Sequence, residues 1–587
     1  VKLQFKTFIE RLGLTAGEEV APKAEVPELI MKEWDALDLA NVSELSYYYD
    51  DGLAVCINHV SYYTSNPTME DLKKIFESDI LKIGHEEKAT YLRLKQKGIS
   101  AQKMLFDLSI ASYVLNPSKD HYHLDDMILE NLGIVIENKK ENEQIQLFDF
   151  VAKEDHQEKY CQYALYIALC KEKYEQELNE KNQLTLFDEI EMPLMKVLAE
   201  MEFEGVLVDR GMIEEFGVRL STQLENLIKD IYSLAGREFN VNSPKQLGEV
   251  LFEELHLPVI KKTKSGYSTD ADVLEKLREE HPVIEKILEY RTLNKLKATY
   301  VDGIIPLISE DGRIHAKFNQ TVTSTGRISC TEPNLQNIPI RTELGRELRK
   351  MFIAKEGFTF LDADYSQIEL RVLAHISGDE NMIHGFHSGE DIHAMTASQV
   401  FGVPLEKVTK QMRSEAKAVN FGIVYGISDF GLATNIGVSR KKAKDYIDKY
   451  FRHYPKIKEY MENTIKKCKE TGYVETLWGR RRYVPEIKSN NFNVRQFGER
   501  VAMNAPIQGT AADIIKIAMI NVQKELEEKK LASKLIIQVH DELLIETKLE
   551  EVEQVKELLI RNMENVIQMQ APLEVAAEEG KNWFEAH

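Results

Sequence analysis

The sequence predicts a multidomain α/β protein, and three observations lead there. At 587 residues and 67.6 kDa the chain exceeds what one hydrophobic core organises, so length alone suggests three or four domains. Apolar residues make up 43% and charged residues 29%, the composition of an ordered globular chain. Short β-rich runs alternate with helical ones, and no repeat or low-complexity segment interrupts them.

Taken in order, the first 190 residues read as mixed α/β. Leu53 to Val60 and Leu81 to Gly84 form β-rich stretches, with a polar loop at Glu141 to Leu147. From about Met192 to Leu296 the pattern is helical, broken by the polar, basic loop K-K-T-K-S-G-Y-S-T-D at Lys261 to Asp270. Strands return after Gly312. F-T-F-L-D-A-D-Y (Phe358 to Tyr365) reads as a buried strand, and helices dominate from Glu369 to about Lys469. K-L-I-I-Q-V-H-D-E-L-L-I-E-T (Lys534 to Thr547) reads as two strands around a tight H-D-E turn.

Several classes drop out early. No run of about 18 apolar residues exists, which excludes a membrane-spanning helix. The N-terminus has no signal-peptide pattern and no starting Met, consistent with a fragment of a longer protein. Five cysteines, odd in number and without a CxxC pair, fit a reducing cytoplasm and exclude a disulfide framework or a cysteine zinc site. GxxxxGK[ST], GxGxxG after a strand, HExxH and GxSxG are all missing, so the usual ATPase, kinase, dehydrogenase, zinc-protease and hydrolase readings lose support.

Net charge is −21, which at first argues against a polyanionic partner. Its distribution removes the objection. Residues 1–190 hold 21 basic and 35 acidic side chains, against 54 and 61 in the remainder. That remainder has basic clusters at Lys261, Lys262 and Lys264, at Arg341, Arg346, Arg349 and Lys350, and at Arg480, Arg481 and Arg482.

Two features carry chemistry. Arg413, Lys417, Phe421 and Tyr425 recur every four residues and share one helical stripe. The stripe suits either an amphipathic core face or a nucleoside triphosphate, with cations for phosphates and rings for a base. Asp364 and Asp541 both stand at strand ends. Each alone reads equally as a turn former, or for Asp364 as the cap of a helix starting near Gln367. Together they suit phosphoryl transfer at two divalent cations about 3.5–4 Å apart. The H-Y-H-L-D-D cluster (His121, His123, Asp125, Asp126) reads as the ordinary acidic start of a helix rather than a metal site.

At these residues the chain resembles the family A DNA polymerases of bacterial, bacillus–clostridium type. D-Y-S-Q-I-E-L-R (Asp364 to Arg371) matches the family's motif A, R-x3-K-x3-F-x3-Y-G (Arg413 to Gly426) motif B, and V-H-D-E (Val539 to Glu542) motif C. T-G-R-I-S-C-T-E-P-N-L-Q-N-I-P (Thr325 to Pro339) and N-A-P-I-Q-G-T-A-A-D-I-I-K (Asn504 to Lys516) match two further blocks. The likeness covers essentially the whole chain, in order.

The resemblance implies a right hand: thumb at 190–302, palm at 303–371 and 496–587, fingers at 372–495. A ribonuclease H-like domain of the 3′–5′ exonuclease type would precede it at 1–189. Asp364 and Asp541 would ligate two Mg²⁺ ions (Mn²⁺ able to substitute), with the Tyr365 carbonyl as a further ligand and Glu542 near the primer end. Arg413, Lys417 and His393 would hold the triphosphate, Lys417 also serving as proton donor to pyrophosphate. Phe421 would stack on the nucleotide, Tyr425 stand at the template position, and Glu369 beside Gln367 exclude a ribose 2′-hydroxyl. Arg327, Asn334, Gln336, Asn504, Gln508, Arg500 and His540 would contact the DNA, and Lys261, Lys262 and Lys264 would grip the duplex. Expected partners are primer-template DNA and deoxynucleoside triphosphates, for a monomer in the bacterial cytoplasm near the nucleoid that extends primers and fills repair gaps.

The first 190 residues depart from the family pattern. An active exonuclease needs four carboxylates, the first two in a D-x-E. Here that stretch is L-S-Y-Y-Y-D-D-G-L, with only Asp50 and Asp51 nearby. Thr90 and Ala164 stand where two further aspartates are expected. The sequence therefore predicts a vestigial domain without proofreading, and a chain lacking the family's 5′-nuclease domain.

Overall fold

The computed structural model describes residues 26–136, 155–264, 266–340 and 342–587. The polar stretch at 141–147 and Arg341 lie outside the described residues.

The first sheet has six strands. Glu44–Tyr49, Leu53–Ile57 and Val60–Thr64 run antiparallel, flanked in parallel by Ile30–Glu33 on one side and by Leu81–Gly84 and Met104–Asp107 on the other. Where the sequence reads one β run from Leu53 to Val60, the chain turns at Asn58 and His59, with φ of 47° and 66°. Two successive left-handed residues are what a two-residue hairpin turn requires, and neither is glycine. The helix Asp155–Glu180 covers this sheet, and the Ser46 and Ser61 hydroxyls donate to its Ala164 and Cys161 carbonyls at 2.7 and 3.1 Å.

Two large cores meet on one helix, Met192–Glu204. Its Met195 belongs to the core beneath the first sheet, while Leu194 and Leu198 begin the core of everything that follows. Next comes a 26-residue helix, Arg210–Ala235, capped by Asp209, which accepts from the Met212 N–H at 3.0 Å. It packs against Pro282–Leu296. The basic stretch between them is not a plain loop but a two-stranded hairpin, Lys262–Thr263 paired with Gly266–Tyr267.

The second sheet has the order Lys534–Val539, Glu542–Lys548, Phe358–Tyr365, Val575–Gly580, antiparallel throughout. Phe358–Tyr365 is the strand read from sequence. It sits between two neighbours and buries side chains on both faces, which explains its nearly continuous apolar run. Helices fill 368–471, as expected. The helix Phe492–Glu528 spans 37 residues and leans on this sheet. The divisions expected at 371/372 and 495/496 both fall inside helices, Ile368–Ser377 and Phe492–Glu528.

Candidate active site

The strand Phe358–Tyr365 and the hairpin beside it bring the two aspartates together. Side chains two apart share a face, so Asp362 and Asp364 point the same way, and the ladder sets Asp364 opposite Glu542. Val539 also pairs with Glu542, leaving His540 and Asp541 as a two-residue turn, with His540 at φ 53°. The Tyr365 N–H donates to the Asp541 carbonyl at 3.2 Å, tying turn to strand. Asp364 is therefore no helix cap. The cap position of Ile368–Ser377 belongs to Gln367, at φ 56° and without a side-chain capping bond.

This arrangement has an electrostatic cost. Burial, then the charges of Asp541 and Glu542, push the Asp364 carboxyl up to about 7. Burial also raises Asp541 above the usual carboxylate range. One Asp364 oxygen is buried with no hydrogen-bond partner. Hard oxygen donors, crowded and incompletely satisfied, fit a divalent cation.

Glu542, opposite Asp364 in the ladder, shares its face of the sheet and is more deeply buried than either aspartate. It is 4% exposed and accepts from Trp583 Nε1 at 2.7 Å, with Arg349 Nη1 at 3.6 Å. Arg349 is itself buried and stacks on Trp583 at 4.2 Å, while His587 Nδ1 lies 3.5 Å from Asp362 and 3.6 Å from Glu542. Glu542 thus links the aspartate pair to the buried Asp362, Arg349 and Trp583. Sequence reading missed the cluster, although the D-A-D alternation already put Asp362 on the face of Asp364.

The motif stripe lies on Lys410–Val424, capped by Thr409. Its buried face is Ala416, Val419, Asn420, Ile423 and Val424; Arg413 and Lys417 are exposed and Phe421 is half-buried. The core-face reading is thereby excluded. Arg413 makes two contacts with Asp391, at 2.6 and 2.7 Å, a partner 22 residues away that the sequence reading did not single out. Lys417 Nζ lies 5.7 Å from the Phe421 ring centre. Tyr425 follows the helix and is 39% exposed. Gly426 then turns at φ 64°, where a Cβ would come within 2.6 Å of Met503 and 3.1 Å of Arg500.

His393 lies beside that face but is enclosed, its ring centre 5.8 Å from that of Phe421. It is 2% exposed, its Nδ1 is 3.0 Å from Asn420 Nδ2, and burial pushes it down to about 4. At neutral pH the ring is therefore uncharged.

A cleft of about 550 Å³ gathers Lys417, Phe421, Tyr425, Glu369, Gln367 and Asp541, with Arg327, Gln336 and His540 along the same wall. Glu369 is its buried acid. Arg327 donates to one oxygen at 2.5 Å and the Tyr425 hydroxyl to the other at 3.1 Å. Burial raises the Glu369 carboxyl, and Arg327 opposes the shift. Gln336 is held by the Ile328 and Gln538 carbonyls at 3.2 and 3.3 Å, and exposed Asn334 caps the Gln336 N–H at 3.0 Å. On the long helix, Gln508 lies beside the Tyr425 hydroxyl, and a buried oxygen of Asn504 has no partner. Exposed Arg500 abuts Gly426. Lys261, Lys262 and Lys264 are exposed on the separate hairpin; Lys261 is 3.4 Å from Asp270 and Lys262 lies over Tyr267.

A second cavity, about 540 Å³, opens on the first sheet. Tyr48, Asp50, Thr90, Arg93, Asp125 and Tyr163 line it. Tyr48 packs on Tyr160 and Tyr163 with ring centres 4.8 and 4.7 Å away, and Ala164 is fully buried. Asp125 accepts from Tyr163 at 2.7 Å, and Asp126 pairs with His121 at 3.4 Å in the first turn of Leu124–Leu132. Among the described residues, one group of three His, Cys, Asp or Glu could jointly hold an ion, and it is Asp362, Glu542 and His587, not these.

Comparisons with known proteins agree with both halves. Residues 210–585 match the family model of DNA polymerase family A, and residues 44–158 that of the DNA polymerase I ribonuclease H-like domain. DNA polymerase I of Caldicellulosiruptor bescii is 43% identical over all of this chain and 68% of its own length. DNA polymerase I of Bacillus subtilis is 42% identical with the same coverage, and that of Lactococcus lactis IL1403 is 48% identical over 86% of this chain and 57% of its own. The polymerase domain of Pol1 from M. smegmatis, solved with DNA primer-template and dNTP, superposes with a TM-score of 0.86 at 37% identity, covering 93% of this chain and 96% of that one. The chain belongs to DNA polymerase family A and is a DNA-directed DNA polymerase, an enzyme of template-directed DNA synthesis.

Proposed function

We propose that the chain extends a primer 3′-hydroxyl with deoxynucleoside triphosphates and releases pyrophosphate, without proofreading. One observation carries the first half: a single cleft sets Lys417, Phe421, Tyr425 and Glu369 against Asp541, with Asp364 alongside. Asp364 and Asp541 would hold two Mg²⁺ ions, Mn²⁺ being able to replace them, with the Tyr365 carbonyl as a further donor. When bound, such ions polarise the primer hydroxyl and neutralise charge on the phosphates. Arg413 exchanges Asp391 for phosphate oxygens, while Lys417 binds the phosphates and donates a proton to the departing pyrophosphate. Phe421 stacks on the nucleotide, and Tyr425 keeps the template position until the helix Lys410–Val424 closes. The Glu369 carboxylate, fixed by Arg327 and Tyr425, occupies the space of a 2′-hydroxyl. Arg327, Gln336, Asn504, Gln508 and His540 touch the minor-groove side of the new pair. Its acceptors are alike for all correct pairs, so contacts there test geometry without reading sequence. Asn334, Arg500 and the hairpin lysines contact the backbone.

The solved M. smegmatis complex supports primer-template and dNTP as partners. No helix among the described residues is long and apolar enough to cross a membrane. In this reading the chain is a monomer working on cytoplasmic, nucleoid DNA in replication and repair gap filling. The division into 1–189, 190–302 (thumb), 303–371 and 496–587 (palm) and 372–495 (fingers) follows the same reading. For the first unit, Thr90 and Ala164 in place of aspartates, and tyrosines on the cavity wall, support loss of exonuclease chemistry.

A primer-extension gel tests both halves. An end-labelled primer on a longer template should lengthen with Mg²⁺ and four deoxynucleotides, and should not shorten without nucleotides. Shortening that co-purifies with the chain would overturn the vestigial reading, and absence of extension would overturn the polymerase mechanism.

A further inference from the structure

We infer that Arg480 is a positioning residue for Arg327, fixing from beneath the backbone that aims Arg327 into the cleft. The inference rests on the proposed role of Arg327 as a DNA-contacting side chain.

The contact is made through Gly326. That residue turns at φ 87°, and a Cβ there would lie 2.6 Å from Arg480 Nε and 2.8 Å from Arg480 Cδ. The backbone before Arg327 therefore rests on the guanidinium itself. From the other side Gly509 of the long helix admits the same segment, since a Cβ there would be 3.3 Å from the Thr325 carbonyl. The Thr323 hydroxyl closes the turn on the Arg327 carbonyl at 2.5 Å.

Arg480 cannot drift. It is 4% exposed; Nε donates to Asp513 Oδ1 at 2.8 Å and Nη2 to Glu191. Asp513 is held in turn by the Thr476 hydroxyl at 2.7 Å, and Glu191 by Lys516 at 2.7 Å and by Gln320. Two buried carboxylates face two buried cations, and a fully satisfied network of this kind admits one geometry. An apolar floor under Gly326 would allow many.

Its anchor comes from the chain leading out of the first unit. Glu191 immediately precedes the helix shared by the two cores. Gln183 donates to the Gly479 carbonyl at 3.2 Å, Tyr113 to the Thr323 carbonyl at 2.7 Å, and Lys88 to the Phe318 carbonyl at 2.6 Å. The ribonuclease H-like unit thus grips both segments that meet at Gly326. That gives a domain read as chemically silent a part in how the polymerase holds DNA.

Steady-state kinetics on the full chain, with primer-template as the varied substrate, test this as a double-mutant cycle. Arg327→Ala should lower kcat/KM for primer-template about tenfold. Arg480→Gln should cause a similar loss in the parent, carried by KM, and little further loss in the Arg327→Ala background. Arg480→Lys, which keeps the charge but not the fork, should fall between. Equal losses of Arg480→Gln in both backgrounds would overturn the inference, because a general structural defect is additive. If Arg327→Ala costs nothing, the reading of Arg327 itself fails instead, and the two failures are distinguishable. Should Arg480→Gln not melt cooperatively, Tyr113→Phe takes its place in the cycle. It removes one hydrogen bond to Thr323, and the expected loss is about two- to fivefold in the parent and none without Arg327. The same loss in both backgrounds would again overturn the inference.

Discussion

The Tyr425 hydroxyl donates to Glu369 Oε2 at 3.1 Å, so an exposed aromatic ring is fastened to the acid at the floor of the cleft. Arg327 takes the other oxygen at 2.5 Å. One carboxylate therefore joins three functions proposed for different residues: template position, sugar discrimination and contact with the new pair. Breaking the bond frees Tyr425 to move and leaves Glu369 dependent on Arg327 alone.

Glu369→Ala should raise the kcat/KM ratio of ribonucleotide to deoxynucleotide by about a hundredfold or more, since it removes the group that excludes the 2′-hydroxyl. Tyr425→Phe keeps the ring and removes one hydrogen bond to a charged group, on the order of 1.5–3 kcal/mol, so discrimination should weaken less. An unchanged ratio in Glu369→Ala would remove Glu369 from the gate.

Asp541→Ala should reduce extension by at least about three orders of magnitude while leaving duplex affinity, read by fluorescence anisotropy, within about threefold. Substantial residual extension would refute the assignment of the turn aspartate to the metal pair.

Asp364 supplies a pH signature. Its carboxyl titrates near 7 in the fold against an ordinary value of 3.8. A folded value above the unfolded one means the protonated form stabilises the fold. That contribution is complete below about pH 4 and is lost as pH rises through 7, at most on the order of 4 kcal/mol. In metal-free buffer the melting temperature should fall between pH 5 and pH 8, and Asp364→Asn should flatten that fall and melt higher than the parent at pH 8. Added Mg²⁺ should raise the parent's melting temperature and leave the variant's nearly unchanged. A parent and variant with parallel pH profiles would contradict the crowding of Asp364.

Arg413→Ala and Lys417→Ala should each raise KM for deoxynucleotides about ten- to a hundredfold, the value of one charged hydrogen bond to phosphate, with smaller changes in DNA affinity. Comparable losses in both would move these side chains out of the triphosphate site.

Much of this was legible in sequence, for identifiable reasons. Asp364 and Asp541 stood out as a pair of strand-end carboxylates, and a tight turn could be read from H-D-E between apolar runs, which the structure confines to His540 and Asp541. The stripe Arg413–Lys417–Phe421–Tyr425 was legible as a stripe. Which way it faced was not, because helical period fixes which residues share a face and only packing decides whether that face is covered. Asp391, Trp583 and His587 were invisible for the same reason: their partners are distant in sequence, and nothing local marks them; Arg349, read as part of a basic cluster, is buried instead. The enclosure of His393 was not legible, because a motif supplies a side chain's identity without its burial. In the first sheet, the turn at Asn58–His59 escaped notice because left-handed backbone there is not announced by glycine.

The antiparallel ladder between Phe358–Tyr365 and Glu542–Lys548 has a mechanical consequence. Asp364 and Asp541 stand on adjacent rails of one hydrogen-bonded lattice, closed by the bond from the Tyr365 N–H. Separating them would require shearing seven paired residues at once, so their spacing behaves as a stiff element. The partners on the opposite wall are joined through side chains alone, Arg413 to Asp391 and Tyr425 to Glu369. In the proposed cycle compliance would therefore be concentrated in the helix that carries the cations, with the carboxylate pair as the anvil against which that helix would close.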